Sequence, residues 1–228
     1  MIIGNGLLAQ AFKPAFAAEH EVLVYASGVS NSQETRPEEF ARERALLEQA
    51  LDTERFMLYF STCSVNDPEQ AHMPYVQHKQ AMEALILERA RQKAIFRLPQ
   101  VVGPTPNPYT LTNYLHHQIS HGLRFKVWLH ASRNLIDVAD VAAVVCHLVR
   151  THQADGVITN VASPAPTGIL QLVHIFEEVL DKPAVYDTVD AGATYAIEAD
   201  LALHTARAAG IDFGPDYVPK LIRKYYGR

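Results

Sequence analysis

Short apolar runs alternate with amphipathic stretches through the first half of this chain. Residues 1–3 form an apolar stub leading into Gly4-Asn5-Gly6, and residues 7–18 follow with helical spacing that Pro14 interrupts. Residues 21–26, 56–60 and 93–98 are short apolar runs bounded by turn formers, the pattern of buried strands. Between them, residues 37–51 place Phe40, Leu47 and Leu51 on one helical face, and the segment after Pro74 carries a stripe of Met82, Leu85, Ile86 and Ala90. Pro74 suits the first turn of that helix. Strands alternating with helices predict a parallel sheet with helices on both faces.

Past Pro104 the pattern changes. Residues 107–113 are turn-rich, 115–121 predict a short helix carrying His116, His117 and His121, and 125–129 predict a strand. Helices are expected over 138–150 and 167–180, a late strand over 156–161, and a helical tail over 199–227 broken by Gly210, Gly214 and Pro215. This half is expected to lie as a mixed lobe over the strand ends, where open parallel sheets bind ligands.

The chain has 228 residues, 48% of them hydrophobic, enough for one domain with a real core. A net charge of −5 offers no basic field for nucleic acid or anionic lipid. The aromatic and basic residues from Lys220 to Arg228 fit a packed terminal helix better than an RNA contact. Cys63 and Cys146 fit no disulfide framework or zinc spacing. No apolar run reaches the length of a membrane span, and the N-terminus lacks the basic start and cleavage site of a signal peptide, so a cytoplasmic protein is expected. His117 and His121 stand at i, i+4, but no third ligand follows at metal spacing, so no metal is expected.

The candidate chemistry centres on Tyr75 and Lys79, one helical turn apart, with Glu83 one turn further. A nearby ammonium lowers the cost of ionising a phenol, which would let Tyr75 act as an acid or base near neutral pH. Just upstream, Ser61-Thr62-Cys63-Ser64 follows a strand, and a hydroxyl there can hold the oxygen that gains or loses the proton. Alone, a Tyr-x-x-x-Lys pair fits a solvent-facing helix with a spare lysine better than an active site, and the order of the elements around it is what turns the balance. Gly4-Asn5-Gly6-Leu7-Leu8-Ala9 has the strand, glycine turn and helix start that cradle a dinucleotide's phosphates, with alanine in the third glycine's place; an ordinary strand-to-helix turn is the other reading. Asp137 and Asp140 are expected to cap a helix rather than form a working carboxylate pair.

With these elements in this order, the chain resembles the extended short-chain dehydrogenase/reductase family, which includes nucleotide-sugar epimerases, dehydratases and ketosugar reductases. The resemblance rests on the glycine-rich start, Ser61 to Val65, Tyr75-x-x-x-Lys79-x-x-x-Glu83, Arg97-Leu98-Pro99-x-Val101-Val102-Gly103-Pro104, Arg133-Asn134-Leu135-Ile136-Asp137-Val138-x-Asp140-Val141 and Asn160-Val161-Ala162-Ser163. It implies an α/β fold, a Rossmann-like doubly wound parallel sheet, with a shortened dinucleotide-binding core over residues 1–104. A substrate-side lobe over 105–228 would include late core elements, all within one compact domain. It implies Tyr75 as catalytic acid/base, Lys79 holding the nicotinamide ribose, and Thr62 or Ser64 as the catalytic hydroxyl. NAD or NADP would meet Gly4, Gly6, Ala9, Ala26, Ser27, Lys79, Pro99 and Val101. A nucleotide-linked sugar would meet Ser61, Asn113 and Arg133, with the Arg133 guanidinium suited to its phosphates. A homodimer through helices 37–51 and 74–92 is also implied, as is a place in polysaccharide biosynthesis.

Two departures shape the expectation. Where the family's 4,6-dehydratases carry an acidic pair after the catalytic threonine, this chain has Cys63 and Ser64, which argues against that elimination. The strand over 21–26 leads directly to the hydroxyl cluster, so the second and third strands of the usual doubly wound half, with the acid that grips the adenosine ribose, are expected to be missing. The expected function is an NAD(P)-dependent oxidoreductase or epimerase of nucleotide sugars. The alternative is an inactive relative serving as a ligand sensor or partner-binding subunit.

Overall fold

A computed structural model describes residues 1–227 and resolves the alternation into one parallel sheet between two helical layers. The first half runs β1 (Ile2–Ile3), α1 (Leu7–Phe16), β2 (Val22–Tyr25), α2 (Pro37–Leu51), β3 (Phe56–Thr62), α3 (Pro74–Arg89) and β4 (Lys93–Leu98). The second half runs β5 (Gln100–Val102), α4 (Leu111–Ser120), β6 (Arg124–Trp128), β7 (Ser132–Arg133), β8 (Leu135–Asp137), α5 (Val138–Arg150), β9 (Ile158–Asn160), β10 (Thr167–Gly168), α6 (Ile169–Leu180), β11 (Val185–Val189), α7 (Asp200–Ala208) and α8 (Tyr217–Tyr226). Arg228, the end of the expected basic tail, lies outside the described residues.

The main sheet has the order β1-β2-β3-β4-β9, with every neighbouring pair parallel. Successive strand residues face opposite sides, and both sides are covered, which is why the strands are apolar runs rather than alternating ones. Val22, Val24, Leu58, Phe60, Ala94 and Phe96 pack with residues of α1, α5 and α7. Leu23, Tyr25, Met57, Tyr59 and Ile95 face the other way, against Leu47 of α2 and Met82 and Ile86 of α3. A further core joins α4, α6, α8 and β6 in the lobe. Among the described residues nothing pairs with the outer edge of β1, a strand of two residues. The sheet therefore stops where a full doubly wound half would add two strands, in line with the shortened core expected from the sequence.

Pro37 and Pro74 each open a helix, where the missing amide proton costs nothing. Asp137 caps α5, its carboxylate accepting the Ala139 amide at 2.8 Å. The same carboxylate takes bonds from Lys224 and Tyr225 of α8, each at 2.7 Å, which fastens the lobe's last helix to the core. Asp137→Ala is expected to lower stability by about 1–2 kcal/mol through the lost cap alone, while Asp137→Asn keeps most of that term. Urea unfolding monitored by far-ultraviolet circular dichroism checks this.

Two of the boundaries that differ from the sequence expectation have a clear local cause. β3 runs on through Ser61 and Thr62 because their backbones pair with Arg97 and Leu98 of β4. α4 begins four residues earlier than expected, where the Thr110 hydroxyl accepts the Asn113 amide. Among the described residues, no helix is long and apolar enough to cross a membrane.

Candidate active site

The carboxyl ends of β2, β3 and β4 open into a cleft of about 1920 Å³. The glycine turn before α1 forms one end, and the hydroxyl cluster with Tyr75 and Lys79 forms a wall. Gly4 has φ +118°, and a side chain there would run into the Ala26 carbonyl, so only glycine lets β1 turn this closely past β2. α1 starts at Gly6 without a side-chain cap, leaving its first amides available to an anion. This glycine cradle is the feature that fits a dinucleotide's pyrophosphate.

Tyr75 and Lys79 lie one turn apart on α3, which packs against the sheet beside α2. The Lys79 ammonium is 5.9 Å from the centre of the Tyr75 ring. The Thr62 hydroxyl accepts the Ser64 amide at 3.2 Å and stands beside the phenol, whose ionisation it assists. Ser64 also lines the cleft, and the Ser61 hydroxyl is buried there with no hydrogen-bond partner among the described residues. A buried hydroxyl without a partner costs stability and is a natural place for a ligand oxygen.

The charge balance around the phenol departs from the sequence expectation. Burial raises the Tyr75 pKa, and although Lys79 pulls it down as expected, Glu43 pushes it up again, so the net direction is upward. Glu43, on α2, is fully buried, and its carboxylate accepts Lys79 Nζ at 2.8 Å, the Tyr59 hydroxyl at 2.8 Å and the Val29 amide at 2.6 Å. His78 Nε2 stands 3.1 Å from its other oxygen, close enough for charge pairing but outside hydrogen-bond geometry. Burial alone would raise the Glu43 carboxyl, but the Lys79 charge, with His78 and Val29, holds it well below the usual carboxylate range. Reading the sequence missed Glu43, although a signal was present. Phe40, Glu43, Leu47 and Leu51 follow helical spacing, so the inward stripe of α2 carries a carboxylate.

The other expected site residues divide clearly. Gly4, Gly6, Ala26, Ser27, Pro99, Val101 and Arg133 all line the cleft. Ala9 is buried behind that lining and supports close packing of α1 rather than facing the opening. Asn113 is a correction, since it lies outside the lining and its carboxamide is committed to the fold. Its Nδ2 donates to the carbonyls of Thr105 and Asn107, both at 2.8 Å, and its Oδ1 accepts the Tyr226 hydroxyl at 2.6 Å. Trp128, Gly192 and Tyr195 also line the cleft, brought there by the lobe from positions with no local motif. Glu83 pairs with Arg97 of β4 at 2.6 Å and takes no part in the Tyr75 cluster. Among the described residues no group of three or more His, Cys, Asp or Glu is placed to hold a metal.

Residues 5–162 match the NAD dependent epimerase/dehydratase family. No curated protein matches the chain significantly. Among solved structures, RMD from Pseudomonas aeruginosa complexed with NADPH is similar at 17% identity and a TM-score of 0.70, over 99% of this chain and 97% of that one. UDP-glucuronic acid 4-epimerase from Bacillus cereus, in complex with UDP-glucuronic acid and NAD, gives 14% identity and a TM-score of 0.73 over 99% and 88%. UDP-glucose 4-epimerase from Thermus thermophilus, complexed with NAD, gives 15% and 0.68 over 96% and 80%. At these identities the likeness is one of fold.

Proposed function

We propose that this chain, which belongs to the NAD-dependent epimerase/dehydratase family, is an NAD(P)-dependent oxidoreductase or epimerase acting on a nucleotide-linked sugar. The observation that carries the reading is the convergence of Tyr75, Lys79 and Thr62 on one wall of a cleft that has a glycine phosphate cradle at its end. Support comes from similar folds that hold NAD, NADPH and a nucleotide sugar.

In this reading the Gly4–Gly6 turn and the open start of α1 take the cofactor's pyrophosphate, while Ala26, Ser27, Pro99 and Val101 border the rest. The nicotinamide supplies or accepts a hydride. Tyr75 exchanges a proton with the sugar's hydroxyl or keto oxygen, Thr62 or Ser64 hydrogen-bonds that oxygen, and Lys79 stabilises the phenolate while holding the nicotinamide ribose. Ser61 offers its unpartnered hydroxyl to the substrate, and Arg133 at the lobe side pairs with its phosphates. The protein works as a homodimer through the outer faces of α2 and α3, where Ala41, Ala45, Ala81, Ala84 and Leu87 are exposed, and serves polysaccharide biosynthesis in the cytoplasm.

A 4,6-dehydratase is not proposed. Against that reading, burial pushes the Cys63 thiol up to about 12 and its Sγ donates to the Arg97 carbonyl, and Ser64 carries a hydroxyl where that elimination uses a carboxyl. One observation favours a second reading, that of a ligand sensor: the sheet ends at the two-residue β1, without the strands that usually grip adenosine.

Gly4→Val is expected to weaken NAD(H) or NADP(H) binding at least about tenfold, or about 1.4 kcal/mol, because the side chain meets the Ala26 carbonyl and opens the cradle. Fluorescence titration with the reduced nucleotides measures this. The function itself is tested by incubating the protein with a panel of nucleotide sugars and NAD(P)(H), following nicotinamide absorbance and identifying products by NMR. Turnover that requires Tyr75 is expected, and no turnover or epimerisation of any sugar by a protein that binds cofactor would overturn it.

A further inference from the structure

A cation and an anion meet in the dry interior at the edge of the cleft. Lys79 is 2% exposed and Glu43 is 0% exposed, and they come from different helices whose inward stripes are mostly apolar, the other buried carboxylate there, Glu83, being taken by Arg97. An ammonium left alone at that depth would shed its proton rather than stay charged. Glu43 Oε1 prevents this by taking Lys79 Nζ at 2.8 Å, and the Tyr59 hydroxyl bridges the pair, donating to Oε1 at 2.8 Å and accepting from Nζ at 3.3 Å. The Val29 amide at 2.6 Å fixes the second carboxylate oxygen. Backbone closes over the top, since a Cβ at Gly28 would fall 2.6 Å from Lys79 Nζ and 3.1 Å from Glu43 Oε1. With two of its three protons so engaged, the ammonium has one left for the cleft, on whose lining it lies, 5.9 Å from the Tyr75 ring centre.

We propose that Glu43 is the positioning residue of this site, keeping the Lys79 ammonium charged and aimed at Tyr75 and at whatever the cleft holds. The assignment rests on the reading of Tyr75 and Lys79 as the proton-transfer pair. A buried ion pair is poor evidence of a stability role, because well-packed apolar residues often replace one at no loss. What such a replacement would remove here is the cation at the cleft edge. The titratable groups facing the pair are Tyr25 and Tyr59 from the sheet and Tyr75 and His78 from α3, while the exposed Arg42 of α2 acts on Tyr25 only.

The test compares unfolding stability against pH for the wild type, Glu43→Gln and the double variant Glu43→Gln/Lys79→Met, all of which keep His78 and the tyrosines. In Glu43→Gln the buried lysine loses its counter-charge, so its folded pKa sinks below its unfolded one and the unfolded state binds more protons. Stability should therefore climb with pH relative to the double variant, with a slope approaching about one proton. Parallel curves for the two variants would overturn the proposal. If Glu43→Gln does not fold, Lys79→Met gives the mirror result. Its uncompensated carboxylate should make stability fall with rising pH relative to the double variant, and the absence of that divergence is equally fatal.

The functional half is read with NADH and NADPH as probes. Glu43→Gln should bind them more weakly at high pH than at low pH, as Lys79 loses its proton, whereas wild-type binding holds across the same range. Equal pH dependence in the two proteins overturns the role of Glu43 at the cleft. Diverging stability curves with no nucleotide bound by the wild type would instead remove the oxidoreductase reading, and leave Glu43 assigned as the keeper of the lysine's charge.

Discussion

Replacing Tyr75 by phenylalanine is expected to lower turnover by roughly 10²–10⁴-fold, the usual contribution of one positioned acid or base, while leaving the fold and cofactor affinity nearly unchanged. The phenol is a proton-transfer group that the cleft presents beside both a hydroxyl and a cation. The substitution removes only its oxygen, and the ring's packing with Val29 and Val76 is kept. The pH dependence should carry the same signature. Because burial and Glu43 raise the phenol's pKa against the pull of Lys79, the direction in which Tyr75 accepts a proton should speed up as pH rises into the alkaline range. The reverse direction should slow over that range, and both limbs should vanish in Tyr75→Phe. Steady-state rates in the two directions against pH measure this.

Lys79→Ala carries the second large effect, and it is one of stability. Removing the cation leaves the Glu43 carboxylate buried with a Tyr59 hydroxyl, a backbone amide and His78 but no lysine. Breaking a buried pair in this way costs about 3–5 kcal/mol, which for a chain of this length lowers Tm by roughly 6–20 °C. The sign of the pH effect should invert as well. In the wild type the Glu43 carboxyl is held below its ordinary value, so its stabilisation is present above the unfolded carboxyl pKa and is lost as pH falls through the folded one. Without Lys79, burial raises the carboxyl instead, and stability is lost as pH rises. Calorimetric melting across the acid and neutral range distinguishes the two.

Those expectations also mark what could be read from the chain alone. α2 over Pro37–Leu51, β4 over Lys93–Leu98 and α5 over Val138–Arg150 coincide with the sequence prediction, because each has one strong period and a clear start signal. β11 was not foreseen. Its Val185–Val189 run is half exposed with Asp187 and Thr188 inside it, and it is a strand because β6 lies beside it. The shortened sheet was legible from the distance between the glycine turn and the hydroxyl cluster.

At the site, local motifs gave the residues that sit on one helix or one strand end, which are Tyr75, Lys79, Thr62 and the glycine turn. They gave a wrong place for Asn113, because nothing local reveals that Tyr226, more than a hundred residues away, would claim its side chain. Glu43 was hidden by its neighbours. Arg42 and Arg44 make the segment look like a solvated charged face, and only its spacing with Phe40 and Leu47 turns it inward. The net rise in the Tyr75 pKa follows from that same residue, so the sequence yielded the sign of the lysine's effect but not the outcome of the competition.

The central claim is that this shortened sheet still holds a nicotinamide dinucleotide against Tyr75 and Lys79. Titration calorimetry of NAD(H) and NADP(H) into the wild type and Tyr75→Phe tests it most directly. Binding by both proteins is expected, with a Kd of roughly micromolar order, about −8 kcal/mol. Absence of binding by both, from folded protein, would contradict it and leave the ligand-sensor reading in its place.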